Sequence, residues 1–334
     1  MSPTMRRFFQ NNEFVLFLIL CFLIVTMSQV SPVFFTLENL FDILRGSTFI
    51  GICSIGFLIV LISGGVDISF TATATVAQYA LGLLLIAGTM HPIFILATPL
   101  LIGLVLGALN ASIIHWLKAP AIIITIATYN AYYGTVQYVS KGTWLYAFPK
   151  WFVDFPKIQY FSRTAESGAH YGLSILTIFW FISILIGVVI LRYSILGRKI
   201  YALGGSAESA KRVGIKAGWI RLFCYSFLGL FAGIGAILHA SMTQTIAPNA
   251  LIGLEFNVLS AVVLGGASIF GGAGTVLGTT LGVLLIAVLT NGLTLMKVPN
   301  YWHQVFIGFI LLMSVLATAT RERMAKKKVG ENHV

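Results

Sequence analysis

One aspartate stands alone in the apolar first part of this chain. Asp67 lies in the stretch Ser63-Gly64-Gly65-Val66-Asp67-Ile68-Ser69, between two long apolar runs. A charge in such surroundings is costly, so an acid there is either paired or functional. Two roles fit these residues. Asp67 or Ser69 can cap the helix that restarts after Gly64-Gly65, accepting its free N–H groups. Alternatively, the carboxylate lines a solute path. The second half carries a comparable interruption, with Gly265, Gly266, Gly271, Gly272 and Gly274 close together. Glycines so spaced can cradle phosphate, but no Gly-Lys-Ser/Thr follows, so no nucleotide lysine is present. Close helix packing or an unwound turn is the role left to them. The two interruptions also echo each other: Leu61-Ile62-Ser63-Gly64-Gly65-Val66-Asp67-Ile68 resembles Val262-Val263-Leu264-Gly265-Gly266-Ala267-Ser268-Ile269. Paired Gly-interrupted segments in two halves point to a path at the repeat interface.

Other polar side chains are scattered through the apolar runs. They include Asn110, Asn130, Gln244, Asn257 and Asn291, with Gln78, Thr125, Thr128, Gln137, His239 and Gln304. Taken singly, each reads as a hydrogen bond between helices. Together, amides and hydroxyls suit a neutral, polyhydroxylated solute better than an ion. Phe57, Phe70, Tyr129 and Tyr132 offer faces on which a sugar could stack. The six histidines are dispersed, with no HExxH spacing and no repeated acid–His pairs of the kind a proton pump needs. No nucleophile elbow is present. The pattern predicts neither an enzyme nor a metal site, and no cofactor held by this chain. Cys21, Cys53 and Cys224 match no metal spacing and read as free thiols packed as small apolar residues.

The elements that position these groups follow from composition. Of 334 residues, 58% are hydrophobic and 9% charged, whereas a soluble domain carries about a quarter charged residues. Apolar runs of roughly 20 residues recur along most of the chain. The fold class expected is all-α, a polytopic helical membrane protein in a lipid bilayer. The spans are placed near 13–30, 47–63, 69–87, 93–116, 121–140, 172–191, 222–242, 255–264, 275–293 and 301–320, ten in all. Residues 1–12 are expected to form a cytoplasmic start, 13–320 the transmembrane domain, and 321–334 a basic cytoplasmic tail. Gly103 and Gly107 have the spacing that lets two helices approach closely. Residues 32–46 read as an amphipathic link. Residues 141–171 form an aromatic-rich outer segment at the membrane interface.

With both termini inside, the inner segments hold fifteen Lys or Arg and the outer segments six. That bias fits the orientation. It also accounts for the net charge of +11 without nucleic acid, since the basic residues cluster in loops between apolar runs. Seven of them lie in 192–221, against one acid, Glu208. There Gly204-Gly205 reads as a chain break, Ser206 as an N-cap with Glu208 in the first turn, and Gly214 as the helix end. Ala207, Ala210 and Val213 form a mildly apolar stripe. The segment thus offers a short helix outside the membrane with something to touch, or else a solvated loop whose charges set topology.

The stretch from Ser63 to Ser69 resembles the SGG-(I/V)-D-(I/L)-S signature of the permeases of ribose-type ABC importers, which serve ribose, xylose, galactose and autoinducer 2. Gly197-Arg198-Lys199-Ile200-Tyr201-Ala202-Leu203-Gly204-Gly205, Ala210 and Gly214-Ile215 resemble that family's cytoplasmic segment. Ala261-Val262-Val263-Leu264-Gly265-Gly266-Ala267-Ser268, Gly271-Gly272, Gly274 and Asn291-Gly292-Leu293 resemble its C-terminal half. The similarity covers about residues 40–320. It implies two permease subunits, identical or related. It also implies two cytoplasmic ATPase subunits, which carry ATP and Mg, and a periplasmic or surface solute-binding protein. It implies that residues 206–214, with Ser206, Ala207, Glu208, Ala210, Lys211, Arg212 and Gly214, dock on the ATPase.

Two stretches differ from the family's pattern. Phe70-Thr71-Ala72 follows Ser69 in place of the usual Gly-Ser, and Glu255-Phe256-Asn257 stands for Glu-(Leu/Met)-Asp. The substrate-path candidates are therefore Asp67, Ser69, Phe70, Asn110, Asn130, Gln244, Asn257 and Asn291. Alternatives to a sugar importer are a related importer for a nucleoside or branched-chain amino acid, and an ion-coupled secondary transporter.

Overall fold

A computed structural model describes residues 12–164 and 170–331, with side-chain surroundings given through residue 314 and at Leu316. The basic start with Arg6 and Arg7, and the side chains of Arg321, Arg323, Lys326, Lys327 and Lys328, lie outside the described residues. The helices are α1 (Asn12–Val30), α2 (Leu37–Gly46), α3 (Thr48–Ile62), α4 (Phe70–Ala87), α5 (Pro92–Leu117), α6 (Ala121–Ser140), α7 (Lys150–Asp154), α8 (Ile175–Val188), α9 (Ile195–Gly205), α10 (Ala207–Arg212), α11 (Ala217–Thr243), α12 (Leu254–Leu264), α13 (Val276–Leu295) and α14 (Asn300–Glu331). Two short antiparallel strands, β1 (Gln159–Thr164) and β2 (His170–Ser174), pair between α7 and α8.

Each expected span carries a helix. Among the described residues six helices are long and apolar enough to cross a membrane, or seven if α2 and α3, bent by 48°, form one broken span. The chain is a polytopic helical membrane protein. The amphipathic link is α2, whose start is capped by Thr36 Oγ1 accepting from the Asn39 N–H at 3.2 Å. Helix α6 has the length of a span but falls outside the six because its sequence is polar.

The centre is α11, which packs against α5, α3 and α4. Lipid tails are as apolar as leucine, so close backbone approach must hold such helices together. The α5–α11 seam supplies it. A side chain at Gly103 would strike the Gly229 carbonyl, one at Gly107 the Tyr225 carbonyl, and one at Gly233 the Pro99 carbonyl. The second half repeats the device, with Gly278 against Gly265 and Gly282 against Ala261. Cys53 and Cys224 are buried free thiols, and Cys21 is a half-buried one.

The two interruptions share a backbone design. After α3, the Gly64 N–H donates to Leu61 O and the Gly65 N–H to Val60 O; after α12, Gly266 donates to Val263 O and Ala267 to Val262 O. Both are glycine-terminated helix ends with a left-handed residue, Gly64 at φ 82° and Gly266 at φ 86°. The echo therefore exists in three dimensions, one residue out of step with the sequence match: Gly64 corresponds to Gly266, not Gly265.

Candidate functional site

Between Gly64 and α4 the chain has no regular secondary structure, and Asp67 is buried there at 2% exposure. Asp67 Oδ1 accepts from the Ser69 N–H at 2.8 Å and from Ser69 Oγ at 2.6 Å. The same hydroxyl accepts from Asn110 Nδ2 at 2.6 Å, and Asn110 Oδ1 accepts from the Tyr132 hydroxyl at 3.1 Å. This ladder runs from the interruption through α5 to α6. Thr125 Oγ1 adds a bond from α6 to Val66 O at 3.3 Å. Asp67 thus closes a turn onto Ser69, the residue before α4; no side chain caps the first turn of α4, and in place of the expected cap Asp67 enters a network that also fixes α6.

Two residues after Ser69, in the first turn of α4, Thr71 Oγ1 donates to Glu255 Oε2 at 3.0 Å. The same oxygen accepts from the Gly253 N–H at 3.0 Å. Glu255 is 6% exposed and, like Asp67, has no ion-pair partner among the described residues. Leaving such a group unsatisfied would cost about 1–3 kcal/mol or more. Tyr129 of α6 lies within electrostatic range of Glu255 and stacks on Tyr133 with ring centroids 6.3 Å apart. Beyond these tyrosines α6 leaves Asn130, Thr135 and Tyr138 exposed, Tyr138 at 84%. A span that exposes amide and hydroxyl groups belongs against water or protein rather than lipid.

The basic segment is more ordered than a loop with one helix. Ser194 caps α9, its Oγ accepting from the Gly197 N–H at 2.9 Å, and Ile200 and Leu203 are buried. Gly204 and Gly205 do not break the chain; they are the last turn of α9. Their bareness serves contact instead. A side chain at Gly204 would strike the Ile62 carbonyl and lie 2.6 Å from Gly272 N. One at Gly271 would lie 2.7 Å from the Gly64 Cα, and one at Gly272 would lie 2.8 Å from the Gly205 Cα. The Gly272 N–H donates to Ile62 O at 2.9 Å, and the Tyr201 hydroxyl donates to Gly274 O at 2.6 Å. The end of α9 is thus wedged between both interruptions. On the other wall of the first, a side chain at Gly65 would strike the Tyr225 hydroxyl.

Helix α10 projects from this junction. Ser206 is its N-cap, accepting from the Ser209 N–H at 3.2 Å, and Gly214 at φ 79° ends it. The Gly214 N–H donates to Lys211 O and the Ile215 N–H to Ala210 O, again a glycine-terminated end. The mildly apolar stripe is split: Ala210 is buried against the body, whereas Ala207 and Val213 are exposed with Glu208, Lys211 and Arg212. Glu208 and Arg212 pair at 2.6 Å on the outward face.

Several other candidates fall elsewhere. Phe70 is 1% exposed and packs on Phe57 at 5.9 Å, so these two rings belong to the core and present no face to a solute. Asn130 donates to Ile126 O on its own helix at 2.8 Å. Gln244 is the left-handed end of α11, and its amide donates to Ser241 O. Asn291 exchanges hydrogen bonds with Asn39, at 3.0 and 2.8 Å, tying α13 to α2. Asn257 and Asn291 line one cavity, of about 370 Å³, between α2, α12, α13 and α14. Sequence reasoning named Thr71 and Glu255 only as members of stretches that differ from the family pattern, and it missed Tyr133 on α6 and Asn39, Thr290 and His303 around the cavity. Glu255 had carried a signal, as a second acid within an apolar run.

Comparison with known proteins places this geometry among membrane permeases. Residues 39–315 match the family described as branched-chain amino acid transport system permease component. The autoinducer 2 import system permease protein LsrC of Photorhabdus luminescens is 31% identical over 98% of this chain and 96% of its own length. The same-named proteins of Salmonella typhi, 29% identical over 97% of this chain and 90% of theirs, and of Shigella flexneri, 28% identical over 97% and 92%, are similar. No solved structure matches.

Proposed function

The chain belongs to the permease-component family of branched-chain amino acid transport systems, and on that premise we propose how it works as the permease of an ABC importer for a sugar-like solute. ATP and Mg bind on separate cytoplasmic ATPase subunits. A second permease subunit faces the exposed side of α6, where Tyr129, Tyr133 and Glu255 border the path. A binding protein delivers solute from the periplasmic side of the bacterial inner membrane. The permease itself makes and breaks no covalent bond.

One observation supports this reading above the others. The backbone of Gly204 lies against Ile62 of the first interruption and Gly272 of the second. A force applied to the exposed helix α10 is delivered at once to both halves of the permease. ATP-driven closure of the ATPase pair shifts the spans only through contacts that differ between the two states. A rigid joint of bare backbone is suited to carrying such a shift, because packed interfaces switch between arrangements rather than deform.

The similar LsrC proteins are named for import of autoinducer 2, which supports a sugar-like solute. The family's description favours a second reading, a branched-chain amino acid. The test is purification of the tagged permease from its native membranes, followed by reconstitution with the ATPase and binding protein that accompany it. ATP-dependent uptake is then measured for D-ribose, autoinducer 2 and L-leucine. Uptake of either of the first two, lost when residues 206–214 are disrupted, is the expected result. A chain that purifies alone, with uptake indifferent to ATP, overturns the reading.

A further inference from the structure

We infer that the cavity between α2, α12, α13 and α14 is a solute chamber of the permease itself, built for a neutral polyhydroxylated molecule. The inference rests on the reading of the chain as permease for a sugar-like solute and adds a location and a chemistry to it.

The cavity holds about 370 Å³, which accommodates a five- or six-carbon sugar with a few waters. Its polar lining includes Asp42, Asn257, Thr290, Asn291, His303 and Gln304, an unusual concentration within a bundle of apolar helices. Pockets for small molecules combine apolar walls with a few placed polar groups, and here Ile43, Ile50, Val283 and Ile286 supply the walls.

The hydrogen-bond inventory separates structural groups from available ones. Asn291 is occupied by its exchange with Asn39. His303 Nε2 lies 3.2 Å from Val298 O, so that nitrogen donates and Nδ1 is left to accept. The Thr290 hydroxyl donates to the α13 backbone, at 2.9 Å to Ile286 O, leaving its lone pairs. Asn257 differs from all of these. Its side chain is 6% exposed, and its carbonyl oxygen is buried without a partner. An amide buried in this way, at the wall of a polar cavity, is a group awaiting a ligand or water.

The chemistry selects among solutes. A sugar hydroxyl both donates and accepts, and amide, hydroxyl and imidazole groups match it in either sense. Among the described residues no lysine or arginine lines the cavity, and its one carboxylate is Asp42. An amino acid zwitterion would therefore find no matched pair of fixed charges. No tryptophan, tyrosine or phenylalanine lines it either, so recognition is through hydrogen bonds rather than ring stacking.

The test is a protection experiment on the complete transporter in proteoliposomes. Thr290→Cys is introduced after Cys21, Cys53 and Cys224 are replaced by alanine, and a small water-soluble methanethiosulfonate is added. The introduced thiol should react, and D-ribose or autoinducer 2 at about ten times its half-saturating concentration should slow the reaction roughly tenfold. L-leucine should not. A second variant, Asn257→Leu, should abolish the protection. ATP-dependent uptake is measured in the same vesicles. If either sugar-class probe is transported but the thiol is unreactive or unprotected, the chamber is overturned while the importer reading stands. Protection by L-leucine also overturns it. If neither sugar-class probe is taken up, the reading of the solute falls, and the chamber with it.

Discussion

Thr71 Oγ1 donates to Glu255 Oε2 across 3.0 Å, and so joins the two stretches at which this chain differs from the ribose-type permease pattern. They are 184 positions apart in sequence, one at the start of α4 and one at the start of α12. Glu255 itself keeps the acid of that pattern, so the bond ties the departure at the start of α4 to the residue just before the departure at Phe256-Asn257. Beside Glu255 stands Tyr129 of α6, stacked on Tyr133.

The first prediction concerns this pair. Thr71→Val keeps the shape of the side chain and removes its donor, leaving Glu255 with the Gly253 N–H alone. A buried acceptor deprived of a partner costs about 1–3 kcal/mol. The variant should therefore lower the thermal midpoint of the permease in nanodiscs. It should also change the ranking of solutes in the uptake assay. Glu255→Gln, which still accepts from Thr71, should be milder in stability. An unchanged midpoint in Thr71→Val would count against this bond.

The second prediction concerns the ladder. Ser69 is its middle rung, donating to Asp67 and accepting from Asn110. Ser69→Ala strips a partner from each neighbour, and Tyr132→Phe removes only the terminal donor to Asn110. Ser69→Ala should therefore destabilise more, by about 2–4 kcal/mol against about 1 kcal/mol. Asp67→Ala should likewise reduce the yield of folded protein, because it leaves the Ser69 N–H without its acceptor in a buried position. A double-mutant cycle between Ser69 and Tyr132 should show coupling, as residues in one network do. Strict additivity would mean that the ladder does not act as a unit.

The third prediction rests on two adjacent glycines with opposite surroundings. A methyl at Gly204 would strike the Ile62 carbonyl, whereas one at Gly205 would meet nothing within 4 Å. Overpacking against backbone costs about 1–3 kcal/mol and forces it to move. Gly204→Ala should therefore reduce solute moved per ATP hydrolysed in the reconstituted transporter, and Gly205→Ala should leave that ratio near the original. Equal effects of the two substitutions would remove the junction as the element of transmission.

Much of this was legible because membranes make strong demands on sequence. Hydropathy located the helices, and the glycine pairs located both interruptions. Cap chemistry placed the ends of α10 at Ser206 and Gly214. What escaped was set by contacts distant in sequence. Gly204-Gly205 reads locally as a break, and only the approach of Ile62 and Gly272 reveals it as a joint. Leu196, Ile200 and Leu203 carried the spacing of a helix face, but the basic residues around them suggested a loop. Phe57 and Phe70 are suitable sugar platforms by type and core residues by position. Nothing local in Asn39 announces its exchange with Asn291, and the one-residue offset between the two interruptions follows from backbone hydrogen bonds that residue types do not encode.

The fourth prediction separates docking from stability at α10. Glu208 and Arg212 form an i,i+4 pair at 2.6 Å, with their side chains 78% and 76% exposed. Water and salt screen such a pair, so it contributes little to the fold. Its helix is held instead by the Ser206 cap, the Gly214 end and the burial of Ala210. Glu208→Lys should therefore leave the thermal midpoint of the isolated permease unchanged. The same substitution reverses one charge on α10, the helix proposed to meet the ATPase, whose other exposed charges are the basic Lys211 and Arg212. It should weaken capture of the ATPase and lower uptake, and the loss should depend on ionic strength, as effects of exposed charge do. Gly214→Pro provides the contrast. Proline cannot adopt φ 79° and has no N–H to give to Lys211 O, so it should disorder the helix end and uncouple at any salt concentration. Normal solute-driven uptake in both variants would show that α10 is not the docking helix.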